Sequence, residues 1–202
     1  MRSRQTNKPD KYIVSECVKV LRDELPYNLH IFVNSVEFIA KVIDTLKLAP
    51  EAVKVVCSTS GESRQENQRK LGNAYPIGQP SDPAKKINFY TSTCFEGCDI
   101  FDPDGVTFIV SDGRKAHTLL DISTLFTQIC GRIRDSRYKA QIVHVYSTTK
   151  YSKAVTLDEF VAATQRTLAD AEIFSYGVLL KGQRETIEEN PLHQRTICAD
   201  SR

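Results

Sequence analysis

Short apolar runs alternate along the chain with longer segments of mixed polarity. Five runs of five or six residues are rich in Val, Ile, Phe and Tyr, which favours buried strands; they span residues 30–34, 53–57, 87–91, 106–110 and 141–146. The segments before and between them predict helices at residues 11–25, 36–48, 64–71 and 118–131. Strands that alternate with helices, and that are apolar through most of their length, predict an α/β fold with a parallel sheet covered on both faces.

The two ends of the chain differ from this middle part. Residues 1–9 are polar and are expected to form a disordered lead-in, after which Asp10 is placed to cap the first helix. Beyond residue 147 the strand pattern stops, and Thr156 can cap a helix over residues 157–174. We therefore expect a lead-in and helix over residues 1–24, an α/β domain over residues 25–147 and a helical appendage over residues 148–202.

Composition limits the class of partner. The 202 residues are 41% hydrophobic and 26% charged, which is ordinary for a folded domain with an appendage. The net charge of +2 gives no overall attraction for nucleic acid, so any such site has to be local. No apolar run approaches the roughly 18 residues that cross a bilayer, and the polar N-terminus is unlike a secretory signal, so we expect no membrane association.

Cysteine usage predicts a reducing environment. The six cysteines are Cys17, Cys57, Cys94, Cys98, Cys130 and Cys198. Four of them lie in or beside apolar runs, where a free cysteine behaves as a small hydrophobe. No C-x-x-C occurs, and no second Cys or His pair accompanies Cys94 and Cys98, so we expect reduced core thiols and no metal site. This usage predicts a cytoplasmic, intracellular location.

One segment with candidate chemistry ends the last predicted helix. Gln128–Arg134 (QICGRIR) places a glycine directly before two arginines. An arginine offers a fixed, always-charged fork to a phosphoryl-transfer transition state, where a finger of this kind is worth about 10³–10⁵ in rate. Gly131 can let the backbone leave the helix and aim Arg132 and Arg134 across a cleft. The alternative is a basic helix end that satisfies the last carbonyls.

A second segment follows the third predicted strand. Tyr90–Ile100 (YTSTCFEGCDI) begins with small hydroxyl residues and ends in G-x-D. The hydroxyls of Thr91 and Ser92 can bond phosphate without a charge, and Asp99 can order an arginine. The alternative is a strand followed by a polar turn.

Together these segments resemble the paired motifs of the second motor domain of superfamily 2 helicases. Gln128–Arg134 resembles motif VI, Q-x-x-G-R-x-x-R, and Tyr90–Ile100 resembles motif V. In their residues, both segments are more similar to origin-binding or phage-type replication helicases than to the DEAD-box group. The spacing departs at one point, because Asp135 stands where the last arginine of the family falls. Arg132 and Arg134 are jointly the candidate finger, and Arg137 is a further candidate.

The opening strand carries a third resemblance. Residues 31–35 (IFVNS) resemble motif IV, and residues 57–60 (CSTS) end the next strand where the family places another backbone contact. The resemblance then implies a row of nucleic-acid-binding groups along one sheet edge, made of Asn34, Ser35, Thr59, Ser60, Thr91 and Ser92. Such a row would bind phosphates without reading sequence. For each hydroxyl the alternative is a helix cap or a turn.

The resemblance implies a RecA-like three-layer domain with a parallel sheet of about five to six strands. It implies that Gly97, Asp99, Gln128 and Gly131 lie near ATP and its Mg²⁺. No G-x-x-x-x-G-K-S/T loop occurs in the chain, so the nucleotide would be shared with an N-terminal RecA-like domain of the same protein. The expected partner is single-stranded or duplex DNA, with RNA left open, and the chain alone is expected to have negligible ATPase activity.

Two other classes of function remain to be weighed. One is a non-catalytic nucleic-acid-binding or partner-docking module with a helicase-like fold, which the near-neutral charge and the displaced arginine favour. The other is a Rossmann-type enzyme, which is disfavoured because no G-x-G-x-x-G follows any strand. No histidine lies near a recognised nucleophile motif, so a hydrolase triad has no support.

Overall fold

The computed structural model describes residues 1–147 and, beyond them, residues 156, 158–159, 161–162 and 165–166, apart from the side chains of residues 122 and 123. The chain divides into two compact units, Met1–Lys150 and Tyr151–Arg202. In the described part of the second unit, the Thr156 Oγ1 accepts from the Glu159 backbone N–H at 3.3 Å and Glu159 Oε2 accepts from Thr156 N at 2.8 Å. This reciprocal capping box begins the predicted helix, most of which lies outside the described residues.

The first unit is built on a six-stranded sheet in which all neighbouring strands are parallel. The strands are β1 (Arg2–Gln5), β2 (Asn28–Phe32), β3 (Val53–Val56), β4 (Ile87–Tyr90), β5 (Gly105–Asp112) and β6 (Ile142–Ser147). They lie in the order β1-β6-β5-β2-β4-β3. The predicted parallel α/β sheet is therefore confirmed.

Four α-helices occur among the described residues of this unit. They are α1 (Pro9–Leu21), α2 (Val36–Leu46), α3 (Gly61–Leu71) and α4 (Thr127–Cys130). The helix predicted over residues 118–131 is wrong in extent, because α4 is a single turn preceded by a π-helical turn, Ile122–Phe126. The Phe126 N–H donates to the Asp121 carbonyl five residues back, which widens the backbone there and interrupts regular α-helix.

One face of the sheet packs against α1, α2 and α3. Strand side chains alternate between faces, so every second residue of each strand points to this side. Ile31 and Phe108 are examples from the sheet, and they share a buried core with Ile13 of α1, Ile39 of α2 and Leu71 of α3. These three helices carry the chain between the first four strands.

The other face packs against the connections that follow β4 and β5. Its buried core contains Phe32 and Tyr90 of the sheet, with Phe95, Phe126 and Ile129 from those connections. Phe32 stacks on Tyr90 with ring centroids 5.0 Å apart. Cover on both faces makes this a three-layer α/β unit, in agreement with the predicted RecA-like architecture.

The N-terminal segment corrects the sequence analysis. Residues 1–9 were expected to be a disordered lead-in, but β1 pairs in parallel with β6, Arg2 opposite Val143 and Gln5 opposite Tyr146. Every residue of β1 is exposed, so this edge strand is held by backbone hydrogen bonds and carries no apolar alternation that could reveal it. The helix that follows, α1, begins at Pro9, and proline is common as the first residue of a helix. Asp10 lies inside the first turn of α1 and is therefore not its N-cap.

Ser35 caps α2, which is the alternative to a nucleic-acid contact given for it in the sequence analysis. Its Oγ accepts from the Phe38 backbone N–H at 3.2 Å, which satisfies one of the donors left open at a helix N-terminus. Among the described residues, we find no helix with the length and apolar character that crossing a bilayer requires.

A buried polar network ties the amino ends of β2 and β5. His30 is fully buried, with Nε2 2.7 Å from Asp102 Oδ2 and Nδ1 3.1 Å from the Tyr90 hydroxyl. Asp102 also accepts from Asn28 Nδ2 at 3.0 Å and from the Asp104 backbone N–H at 3.0 Å. Burial acts to raise the pKa of Asp102, but the hydrogen bonds from His30 and Asn28 outweigh it and hold the pKa below its usual value.

We predict that Asp102→Ala lowers the free energy of unfolding by about 2–4 kcal/mol, because it leaves several buried donors without an acceptor. Asp44→Ala removes an exposed carboxylate from α2 and serves as the control, with an expected change within about 0.5 kcal/mol. Urea unfolding of both variants measures the difference. Equal midpoints for the two variants would show that the buried network contributes nothing.

Candidate functional site

The six residues predicted to bind a nucleic-acid backbone follow three strands that are neighbours in the sheet. Asn34 and Ser35 follow β2, Thr91 and Ser92 follow β4, and residues 59–60 follow β3. Because β2, β4 and β3 are adjacent and parallel, their carboxyl ends lie side by side. The sheet topology therefore brings the predicted row to one edge.

Asn34 is the residue that connects these loops. Its Nδ2 donates to the His117 carbonyl at 2.9 Å, and its Oδ1 accepts from the Ser92 backbone N–H at 3.4 Å. The end of β2 is thereby joined to the end of β4 and to the loop after β5. The amide of Asn34 is occupied in holding the loops together, which makes it a positioning group for the edge.

The hydroxyls of the row divide into buried and exposed groups. Ser35 is buried as the cap of α2, and Thr91 is buried with its Oγ1 3.4 Å from Thr93 Oγ1. Ser60 Oγ lies 3.0 Å from Ser58 Oγ and is exposed, as are Thr59 and Ser92. The edge therefore presents Thr59, Ser60 and Ser92 to solvent, which is half of the predicted set.

Charged side chains follow the exposed end of this row on α3, the helix that begins directly after Ser60. Arg64 is exposed in the first turn, which also contains Glu62. Arg69 and Lys70 lie in the last turn, away from the carboxyl edge, and Lys70 pairs with Glu66 at 2.7 Å. The positive charge beside the hydroxyls is therefore that of Arg64.

The segment after β4 runs back across the sheet. Since β4 and β5 are parallel, the chain has to return from the carboxyl edge to the amino edge before β5 begins. It does so without a long helix: a 3₁₀ turn, Ser92–Cys94, is followed by Gly97 at φ +71°, and Ile100 then forms a parallel bridge with Ile133. This return, residues 92–104, is the first crossover of the second face.

The predicted arginines lie against that crossover. Arg134 Nε donates to Asp99 Oδ1 at 2.7 Å, and both side chains are 49% exposed. Arg132 donates through Nη1 to the Cys98 carbonyl at 2.9 Å and through Nε to the Gln128 carbonyl at 3.0 Å. These side-chain contacts join residues 34 and 35 positions apart along the chain, so the two motif segments form one cluster, which we call the arginine cluster (residues 98–100 and 132–134).

Backbone hydrogen bonds hold the same two segments in register. The Ile100 N–H donates to the Arg132 carbonyl at 2.9 Å, and the Arg134 N–H donates to the Ile100 carbonyl at 3.0 Å. Ile133, between the arginines, is buried and would lie 3.2 Å from a Cβ placed on Gly105, the first residue of β5. The arginine cluster is therefore toward the amino end of β5, whereas residues 91–92 of the other motif segment lie at the carboxyl edge.

The glycines of the two motifs differ in their role. Gly131 has φ −97° and ψ 0°, a backbone conformation that other residues also adopt. The position before Arg132 therefore does not require a glycine, contrary to the expectation from the sequence. Gly97 has φ +71°, which L-residues rarely adopt. Gln128 contributes its carbonyl, which accepts from Arg132 and from the Gly131 N–H.

Asp135 joins the arginine segment to the buried network. Its carboxylate accepts from the Asp102 backbone N–H at 2.8 Å, and Asp102 is the acid that pairs with His30. Arg137 pairs with Asp104 and lies 5.7 Å from the Tyr138 ring centroid. Arg137 is therefore engaged with a different acid from the one that holds Arg134.

Asp112 organises the carboxyl ends of β5 and β6. It accepts from Ser147 Oγ at 2.7 Å and from Arg114 Nε at 3.0 Å. The hydrogen bond from Arg114, with help from Ser147, lowers the pKa of Asp112 to about 2 against the opposing effect of burial. The segment after the fourth predicted strand is a turn held by this carboxylate.

Sequence reasoning missed the His30–Asp102 pair. A signal for it exists: the histidine interrupts an apolar strand, and an acid stands just before a neighbouring strand, with Asn28 opposite Gly105 in the register. Only the strand order, which the pattern of residues does not give, places the two side by side.

Comparison with known proteins adds no family assignment. A scan against models of protein families finds no match to this chain, and a search of curated proteins finds no significant match either. Within the part of the chain that the structure describes, no three Cys, His, Asp or Glu side chains are grouped to hold a metal ion.

We predict that Gly97→Ala lowers the free energy of unfolding by about 1–2 kcal/mol, because an L-residue is strained at positive φ. Gly131→Ala is the matched control, since its added Cβ would meet only ordinary contacts, the nearest at 3.6 Å from the Gln128 carbonyl oxygen. Thermal unfolding of both variants measures the effect, and a loss at Gly131 as large as at Gly97 would refute the assignment.

We predict an acid-dependent contribution from Asp112. Its folded-state pKa of about 2 lies below the ordinary 3.8, so its stabilisation is present above about pH 4 and is lost as the pH falls toward 2. Asp112→Asn should lower the free energy of unfolding at pH 7 by on the order of 1–2 kcal/mol, with the difference from wild type vanishing near pH 2. Urea unfolding across this range tests it; a difference that is constant with pH would contradict the assignment.

Proposed function

We propose that this chain is the second motor domain of an ATP-dependent DNA helicase or translocase of superfamily 2. The observation that carries the proposal is the arginine cluster, in which the two segments that resemble motifs V and VI are joined by Arg134–Asp99 and Arg132–Cys98 contacts. This contact between a G-x-D and a G-R-x-R segment is what the resemblance implies for such a domain, and it supports the proposal.

The arginines are suited to a shared nucleotide site. Arg134 is half exposed and held by one acid, so its guanidinium is oriented while donors remain for an incoming anion. In the proposed motor, ATP with Mg²⁺ is bound between this domain and an N-terminal RecA-like domain that carries the phosphate loop. Arg132 and Arg134 would approach the γ-phosphate oxygens as the cleft closes, and would withdraw after hydrolysis.

The exposed hydroxyls support the second half of the proposal. Thr59, Ser60 and Ser92 lie at the ends of adjacent strands, beside Arg64 in the first turn of α3. Hydroxyls and arginines at a sheet edge can bind phosphates of single-stranded or duplex DNA, or of RNA, without reading bases. We also propose an intracellular, reducing location, which the free thiols of the five described cysteines support.

A non-catalytic nucleic-acid-binding or partner-docking module is the second candidate. The observation that favours it is the engagement of both arginines: Arg134 is neutralised by Asp99, and Arg132 is bound by two carbonyls. If the chain has this function, the arginine cluster stabilises the crossover and does not contact a nucleotide.

The test is strand-stimulated ATP hydrolysis by the motor that contains this domain. We expect Arg132→Ala or Arg134→Ala to reduce turnover by about 10²–10⁵-fold, because a finger stabilises only the transition state. Lys139→Ala, an exposed positive charge on the following turn, is the control for lost charge and should retain wild-type turnover within about twofold. The isolated chain should show negligible turnover.

The outcomes separate the two candidates. Turnover that survives both arginine substitutions would rule out the finger role. Wild-type protein that binds single-stranded DNA but never hydrolyses ATP would support the binding-module candidate.

A further inference from the structure

The strand β1 lies at the end of the sheet order, with β6 as its one neighbour among the described residues. The Thr6 N–H donates to the Tyr146 carbonyl, and in a parallel pair every second residue turns its backbone groups toward the same neighbour. The two arginines of β1 therefore bond to β6, and the N–H and C=O groups of Ser3 and Gln5 point away from it. All of β1 is exposed, so these outward groups form an open row of donors and acceptors.

The arginines of β1 have no acidic partner in the part of the chain that the structure describes. Arg2 and Arg4 are exposed, and no ion pair joins either of them to a described carboxylate. Both point to the same face, because side chains alternate along a strand. Val145, opposite Arg4 in β6, belongs to the core that α1 covers, so this is the α1 face. A strand added beside β1 would meet two unpaired positive charges there.

A cavity of about 160 Å³ lies beside these arginines. Its lining includes both arginines of β1, Tyr12 of α1, and the apolar side chains of Phe108 and Ile142. Glu16 also lines the cavity, but its carboxylate is paired with Lys19 at 2.7 Å. A cavity of roughly 150 Å³ is large enough to hold benzene, so this one can take a single apolar side chain.

We propose that the edge of β1 binds an extended acidic segment of another protein, which adds a strand to the sheet. Backbone groups of the added strand pair with Ser3 and Gln5, which provides affinity. Its acidic side chains pair with Arg2 and Arg4, and one apolar side chain enters the cavity, which provides specificity. This interaction does not depend on the helicase function proposed above.

The same groups disfavour two other occupants. If two copies of this chain paired through β1 in an antiparallel ribbon, the registers with the longest overlap would place Arg4 opposite Arg4 or Arg2 opposite Arg4, which is destabilising. A nucleic-acid phosphate would neutralise the arginines, but it has no N–H to donate to the outward carbonyls of Ser3 and Gln5. A peptide strand supplies both donors and acceptors.

The first test uses the capped peptide Thr-Glu-Thr-Leu-Thr-Glu-Thr, whose pattern is the same in both strand directions. It is titrated into the ¹⁵N-labelled full chain, and amide chemical shifts and hydrogen exchange are measured. We expect the largest shifts at Ser3 and Gln5, with exchange of both amides slowed by about tenfold, because each gains an acceptor. No binding at millimolar peptide, or shifts confined to other residues, would overturn the proposal.

Ser3→Pro tests the backbone pairing. Proline removes an N–H that points away from β6, so no hydrogen bond of the sheet is lost, and edge strands tolerate proline at such positions. We expect the peptide affinity to fall by about tenfold, whereas the matched Ser3→Ala variant stays within about twofold of wild type. The Thr6 amide, which bonds to β6, reports that β1 stays paired. Equal affinities of the two variants would refute strand addition.

Arg4→Glu tests the charge pairing. We expect it to weaken binding of the glutamate peptide by about tenfold or more, and to create binding of a peptide with lysines in place of the glutamates. Arg69→Glu makes the same change in net charge on α3, which follows the strand at the opposite end of the sheet, and should leave both affinities within about twofold. An unchanged preference in Arg4→Glu, or an equal loss in Arg69→Glu, would refute the assignment.

Two further measurements identify the other occupants. Shifts at Ser3 and Gln5 that depend on protein concentration without peptide would show that a second copy occupies the edge. A single-stranded oligodeoxynucleotide that shifts these amides as strongly as the peptide, and that displaces it, would show that β1 is a phosphate site. Either result would overturn the proposal.

Discussion

The parallel pairing of all six strands is the constraint on which the rest of this structure depends. Each parallel strand has to be followed by a connection that returns to the opposite edge of the sheet. The connections that include α1, α2 and α3 cover one face, and the two that follow β4 and β5 cover the other. Because those last two connections share one face of the sheet, they meet, and their meeting at Ile100 and Ile133 creates the arginine cluster.

The same constraint separates the two parts of the candidate site. The hydroxyls lie where strands end, at the carboxyl edge, whereas Arg132 and Arg134 lie on the return from β5 to β6, toward the amino end of β5. Residues 91–100 belong to both parts, since Thr91 and Ser92 open the segment and Asp99 lies near its end. A movement of this one segment would therefore change both the exposed hydroxyls at the carboxyl edge and the arginine contacts.

The sequence predicted those features that depend on local pattern. Apolar runs such as residues 53–57 and 87–91 are apolar because they are buried on both faces, so their periodicity predicts the strands and the parallel sheet. The cap at Ser35 is equally local. β1 was not predicted because all its side chains are exposed and backbone pairing holds it at the sheet edge. Backbone pairing of this kind produces no alternation of apolar and polar residues in the sequence.

Features that depend on long-range placement could be predicted only in part. The resemblance to helicase motifs pointed to Asp99 and the arginines, but it could not tell which arginine Asp99 holds. The contact of Asp102 with His30 follows from strand order, and the buried state of Ser35 and Thr91 follows from packing. These are properties of the assembled sheet, and a pattern read along one chain does not contain them.

The central claim is that the carboxyl edge of β2, β4 and β3 binds a nucleic-acid backbone. The most direct measurement is a titration of the ¹⁵N-labelled chain with a single-stranded oligodeoxynucleotide, followed by amide chemical-shift changes. The account predicts that the largest changes fall at residues 58–60, 64 and 91–92, and that they diminish as salt is added. Changes confined to other surfaces, such as the outer face of α1 and β1, or no binding at low salt, would contradict it.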